Sequence, residues 1–178
     1  MPLPNKYKWL AQEGAPKMLV EGLKLYGTIE TPGDENNPTI ISWAQEMGNN
    51  VADVYKADSI PWCGLFMAII AKRAGKEIPK SPLWALSWST FGNHVDVPML
   101  GDTLVFTRAG GGHVGLYIGE DTTAFHVLGG NQSDKVSIAR VAKTRLYIAR
   151  RPIYTVAQPS NVRRIIISSD GILSTDES

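Results

Sequence analysis

The chain carries a single cysteine, Cys63, in the run Pro61-Trp62-Cys63-Gly64-Leu65-Phe66. A free cysteine is commonly a small buried hydrophobe; its position here argues for chemistry instead. Pro61 is placed to be the first residue of a helix, which puts Cys63 in the first turn, where unpaired backbone N–H groups favour an anion. A thiol that ordinarily titrates near about 8.5 can fall to roughly 3.5–7.5 at a helix N-terminus beside an imidazole. The same donors can hold an oxyanion formed next to the sulfur. A base must lie within reach of such a nucleophile. The candidate is His113, which follows Gly110-Gly111-Gly112 and opens the β-prone run Val114-Gly115-Leu116-Tyr117-Ile118. Glycines let the backbone turn sharply there; the plainer alternative is an exposed loop histidine. A third polar group should orient the imidazole, as in Cys-His-Asn sites. His126, Asn131 and Gln132 are available. Asn131, in Leu128-Gly129-Gly130-Asn131-Gln132, is the first choice and His126 the second, with an ordinary turn as the alternative for the Gly-Gly-Asn-Gln run.

These residues need elements to position them. Residues 1–15 read as a loose lead-in. A first helix is predicted from Pro16 to a stop at Gly27, and a second from Asn37-Pro38 to about Gly48. A third carries Cys63, Phe66, Met67, Ile70 and Ala74 at helical spacing and ends at Gly75. Pro82 to Trp88 suggests a short helical turn. After Pro98 the period falls to two. Strands are predicted at 103–107, 114–119, 124–128, 136–141 and 146–150, with links too short for parallel crossovers. Helices followed by an antiparallel meander make an α+β fold. Residues 157–161 read as a linker. Residues 162–178 read as a further hairpin turning at Ser169-Asp170-Gly171, in a C-terminal extension (157–178) to which no role is assigned.

Bulk properties narrow the classes. One domain accounts for 178 residues, and a formal charge of +1 gives no general pull toward nucleic acid or anionic membrane. A lone cysteine excludes an intramolecular disulfide. The N-terminal run Met-Pro-Leu-Pro-Asn-Lys-Tyr-Lys-Trp lacks the apolar core of a secretory signal, and the longest apolar run, Leu65 to Ala71, is too short for a membrane span. A soluble monomer is expected.

Four ordered stretches resemble one family. They are Pro61 to Phe66, then Gly101-Asp102-Thr103-Leu104-Val105-Phe106, then Gly112-His113-Val114-Gly115-Leu116-Tyr117-Ile118-Gly119, then Leu128 to Asp134. Together they are similar to the NlpC/CHAP clan of papain-like cysteine peptidoglycan hydrolases, in its small phage-lysin-type branch. The likeness extends upstream through Glu30-Thr31-Pro32-Gly33 and covers roughly residues 16–152, so residues 16–156 would form the catalytic domain. The resemblance implies a papain-like fold, bacterial peptidoglycan as partner, and cleavage of an amide in its peptide part through an acyl-enzyme, without metal or cofactor. It puts the nucleophile on Cys63, the base on His113 and the third residue on Asn131. Asp58 also fits the family pattern, either lining the site or capping the helix. It further implies a protein held in the host cytoplasm until released to the wall, or carried by a virion.

Rival readings are a zinc amidase using Cys63, His94, His113 and His126, a non-enzymatic wall-binding or tail module of the same fold, and an interbacterial amidase toxin. The four possible zinc ligands lack the close spacing of metal motifs. Trp62, Trp84, Trp88 and Tyr117 could form a substrate platform, with Trp62 preferred because it adjoins the cysteine, although aromatics are more often core. Gln132 is a further lining candidate. Arg163-Arg164 could attract an anionic wall, although such pairs more often guard a solvated strand edge.

Overall fold

In the computed structural model, which describes residues 1–174, helices precede a six-stranded antiparallel sheet. Helix α1 (Lys17–Lys24) begins after Pro16, and the chain turns at Gly27, where φ is +86°. Helix α2 (Pro38–Met47) starts as the Asn-Pro pair predicts: the Asn37 side chain accepts a hydrogen bond from the Thr39 N–H at 2.8 Å. A short α3 (Asn49–Ala52) follows.

Helix α4 (Cys63–Arg73) is the central element. Every residue from Cys63 to Ala71 is buried, as expected of a helix that is apolar all round. Its end is closed by Gly75 (φ +68°) and a bond from the Lys76 N–H to the Ala71 carbonyl. Its start differs from expectation. Pro61 lies outside, Trp62 is the N-cap with non-helical φ −123° and ψ 17°, and Cys63 is the first helical residue. The fully buried Trp62 ring packs against Trp43 and sets the angle of entry.

The strands are β1 (Asn93–His94), β2 (Thr103–Arg108), β3 (Gly111–Glu120), β4 (Ala124–Gly129), β5 (Ser137–Ala142) and β6 (Leu146–Arg151). Their order, β1-β6-β2-β3-β4-β5, corrects the meander. Strands β2 to β5 are sequential neighbours, but β6 pairs with β2 at the opposite side from β5. In a flat sheet those positions would lie about 19 Å apart, at roughly 4.8 Å per strand. The chain from Ala142 to Leu146 spans at most about 14 Å, so the sheet curls. Arg151, donating to Asp102 at 2.9 and 2.7 Å, holds β6 against the start of β2.

One face of the sheet, including Val105, Val114, Leu116 and Leu128, joins α1, α2 and α4 in the main core. The other carries Leu104, Phe106, Tyr117, Phe125, Val127 and Val141.

Both chain ends depart from expectation. The lead-in contains a 3-10 helix, Asn5–Gln12, that buries Tyr7 and Leu10 in the main core. The C-terminal hairpin is absent among the described residues. Instead the Glu120 N–H donates to the Ile165 carbonyl and the Ile167 N–H to the Glu120 carbonyl, both at 2.9 Å, so the tail satisfies the sheet's backbone groups rather than its own. Residues 175–178 of that predicted hairpin lie outside the described residues. No helix among the described residues is long and apolar enough to cross a membrane.

Candidate active site

The sulfur of Cys63 meets the backbone of β3. Strand β4 pairs with β3 only from Leu116 onward, which leaves the Val114 N–H unpaired with β4 and near enough to the Cys63 sulfur to favour its thiolate. The residue before Val114 is His113. Burial pushes the Cys63 thiol up from its ordinary value, while the N–H groups of Val114, Gly64 and Cys63 itself, and the Arg108 charge, oppose the rise without cancelling it. The expected acidification by the helix start is therefore outweighed in the resting protein. With only 4% of the residue exposed, loss of water costs the thiolate more than these donors return.

His113 is fully buried, and its ring stacks on Phe106, its cross-strand neighbour, at 6.3 Å. Its Nε2 lies 3.1 Å from the Gln132 Oε1. The Gln132 amide nitrogen donates to the carbonyls of Ser137 (2.6 Å) and Val127 (3.2 Å). That nitrogen must face carbonyls, so the oxygen must face the ring. A ring nitrogen facing an acceptor carries the proton, which makes Nε2 the N–H and Nδ1 the basic nitrogen.

Gln132, rather than either preferred residue, is the side chain that meets the His113 ring. Asn131 occupies the left-handed region (φ +56°), and its buried Oδ1 has no hydrogen-bond partner among the described residues. His126 is engaged elsewhere: its Nδ1 meets the Tyr7 hydroxyl at 2.5 Å and its Nε2 meets Asp121 at 3.1 Å, with Arg140 also on Asp121.

Other expected site residues are structural. Asp58 does not cap α4; its carboxylate accepts from the backbone N–H groups of Thr31 (2.9 Å) and Asn37 (2.7 Å), clasping the loop before α2. Trp62 is core, its indole N–H donating to Glu30. The Tyr117 hydroxyl donates to the Ile165 carbonyl, on the sheet face away from α4. Trp88 is buried, whereas Trp84 is 58% exposed. His94 stands with Asp96 on the surface. Among the described residues no group of three or more His, Cys, Asp and Glu side chains is placed to hold a metal ion.

A groove of about 620 Å³ opens at Cys63. Val51, Ile60, Leu83 and the exposed Trp84 supply apolar wall, Gly110 to Gly112 form one edge, and Lys80 and Arg108 contribute charge. Gly64 allows the wall to close onto α4: a Cβ there would lie 2.5 Å from the Pro82 and Leu83 carbonyl oxygens. Neither a protein-family model nor a curated protein matches this chain. Arg108 was missed by sequence reasoning. Its signal was its place on one limb of the tight β2–β3 hairpin whose other limb carries His113.

The site thus combines a sulfur at the first residue of a helix, amide N–H groups around it, an imidazole of defined tautomer on the neighbouring strand, and a groove that opens at the sulfur. These are the parts needed for acyl transfer.

Proposed function

We propose that the chain is a papain-like cysteine hydrolase that cleaves an amide in the peptide part of bacterial peptidoglycan, as an endolysin-type enzyme. The single observation that carries this reading is the placement of the Cys63 sulfur, the first residue of α4, beside the Val114 N–H, next in sequence to His113, whose ring Gln132 engages. The choice of peptidoglycan rests on the resemblance of the four motifs.

In the proposed reaction, His113 Nδ1 takes the thiol proton and the sulfur attacks the substrate carbonyl. Amide N–H groups at the open first turn of α4 receive the oxyanion. The C–N bond breaks as the imidazolium returns the proton to the departing amine. Water, activated by the same imidazole, hydrolyses the thioester and regenerates the thiol. Gln132 is a positioning residue: it keeps the proton on Nε2, so that Nδ1 remains the base.

The test is digestion of purified peptidoglycan, followed by mass spectrometry of the fragments, with wild type and Cys63→Ala compared. New amine and carboxyl termini should appear with wild type alone, survive EDTA and vanish after thiol alkylation. Equal digestion by both proteins would overturn the proposal.

A further inference from the structure

The groove at Cys63 has a chemical polarity of its own. Its lining includes two cations, Lys80 and Arg108, and no aspartate or glutamate. Arg108 is half-buried at the end of β2, where its Nε donates to the Gly112 carbonyl at 3.3 Å. That bond fixes the guanidinium plane and leaves its outer nitrogens available. Among the described residues Arg73, Arg140, Arg151, Arg163 and Arg164 each pair with a carboxylate. Arg108, also among the described residues, has no such partner.

A guanidinium partly removed from water in an apolar cleft gains most from a carboxylate, which can meet it through two parallel hydrogen bonds. Space for that ligand exists. A Cβ built at Gly110 or Gly111 would find no atom within 4 Å. The charge also acts on the Cys63 sulfur, so one bound ligand can address both groups.

We propose that Arg108 reads a free carboxylate carried beside the scissile amide, so that the protein selects anionic wall peptides over their carboxamide forms. This specificity rests on the hydrolase reading of the same site. Arg108 binds the carboxylate through its outer nitrogens, Lys80 adds long-range attraction at the rim, and the apolar wall holds the aliphatic part of the peptide. A carboxamide would offer one neutral acceptor oxygen beside an NH2 donor, so the guanidinium would lose its second hydrogen bond and its counter-charge.

The experiment uses one preparation of sacculi before and after chemical conversion of peptide carboxylates to carboxamides. Wild type, Arg108→Gln and Arg108→Lys are assayed by release of soluble fragments. Wild type should digest the amidated sacculi about 10-fold or more slowly. For Arg108→Gln the ratio should fall to within about 3-fold, and Arg108→Lys should retain part of it. An unchanged ratio in Arg108→Gln, or equal digestion of both preparations by wild type, overturns the specificity alone. No digestion of the unmodified sacculi by wild type overturns the hydrolase reading, and the specificity falls with it.

Discussion

Gln132 occupies the position that distinguishes a defined imidazole from an arbitrary one. Its amide is turned by the Ser137 and Val127 carbonyls, so it can offer His113 only an acceptor. Gln132→Ala should lower kcat by about 10²-fold with little change in KM, because a misplaced base loses transition-state geometry rather than substrate affinity. The acidic limb of its kcat/KM profile should shift as well. A wild-type profile in that variant would remove the positioning role. Asn131→Ala should act on stability instead, costing about 1 kcal/mol for a left-handed residue, read from a denaturant midpoint, while Asn131→Gly should be tolerated. Cys63 and His113 stood out in the sequence, and the structure places them on the helix and strand expected of them. Which of Asn131 and Gln132 meets the His113 ring was not legible, because adjacent residues in a turn differ only in where the backbone aims them, and the three positive-φ residues of this turn (Asn131, Ser133 and Asp134) follow no periodic pattern.

At the scale of elements, the start of α4 depends on a close approach that only glycine permits. Gly64→Ala would drive a methyl group into the Pro82 and Leu83 carbonyls, and neither backbone segment is a flexible side-chain tip. We expect a loss of about 1–3 kcal/mol in urea unfolding, with reduced turnover as the groove wall moves away from Cys63. Unchanged stability would show that the loop yields freely. Helix and strand positions were readable because their apolar periods are strong: α2 and α4 begin and end within two residues of expectation, and β2 to β6 all appear. The partner of β6 was not readable. Strand order depends on how far the sheet curls, and a local sequence pattern contains no term for curl. The roles of Asp58, Trp62 and Tyr117 were obscured for a related reason: a polar or aromatic residue beside a motif looks the same whether it faces a ligand or a neighbouring loop.

Across the molecule, the N-terminal 3-10 helix is tied to the sheet by Tyr7, His126, Asp121 and Arg140. Burial lowers the His126 titration despite the opposing effect of Asp121. Burial pushes the Asp121 carboxyl up, but hydrogen bonds from Arg140, Thr123, Ala124 and His126 outweigh it and hold that carboxyl well below its usual range. The unfolded chain therefore takes up a proton at His126 before the folded protein does. Stability is retained near neutrality and should fall as pH drops below about 6.5, by up to about 1.4 kcal/mol per pH unit. Thermal unfolding between pH 7.5 and 5.5 measures this. His126→Gln should flatten the slope, and an undiminished slope would assign it to another group.

The shortest hydrogen bond that the Gln132 amide nitrogen donates goes to the carbonyl of Ser137, the first residue of β5. During synthesis Cys63 and His113 leave the ribosome well before Ser137 does. Until β5 closes beside β4, the glutamine amide lacks its shortest anchor and has only the longer bonds to the Val127 and Gly129 carbonyls to turn it toward the imidazole. A nascent or truncated chain ending before Ser137 therefore holds Cys63 and His113 without the anchor that fixes the glutamine most firmly, and the fully ordered imidazole arrives late, with the outer strand.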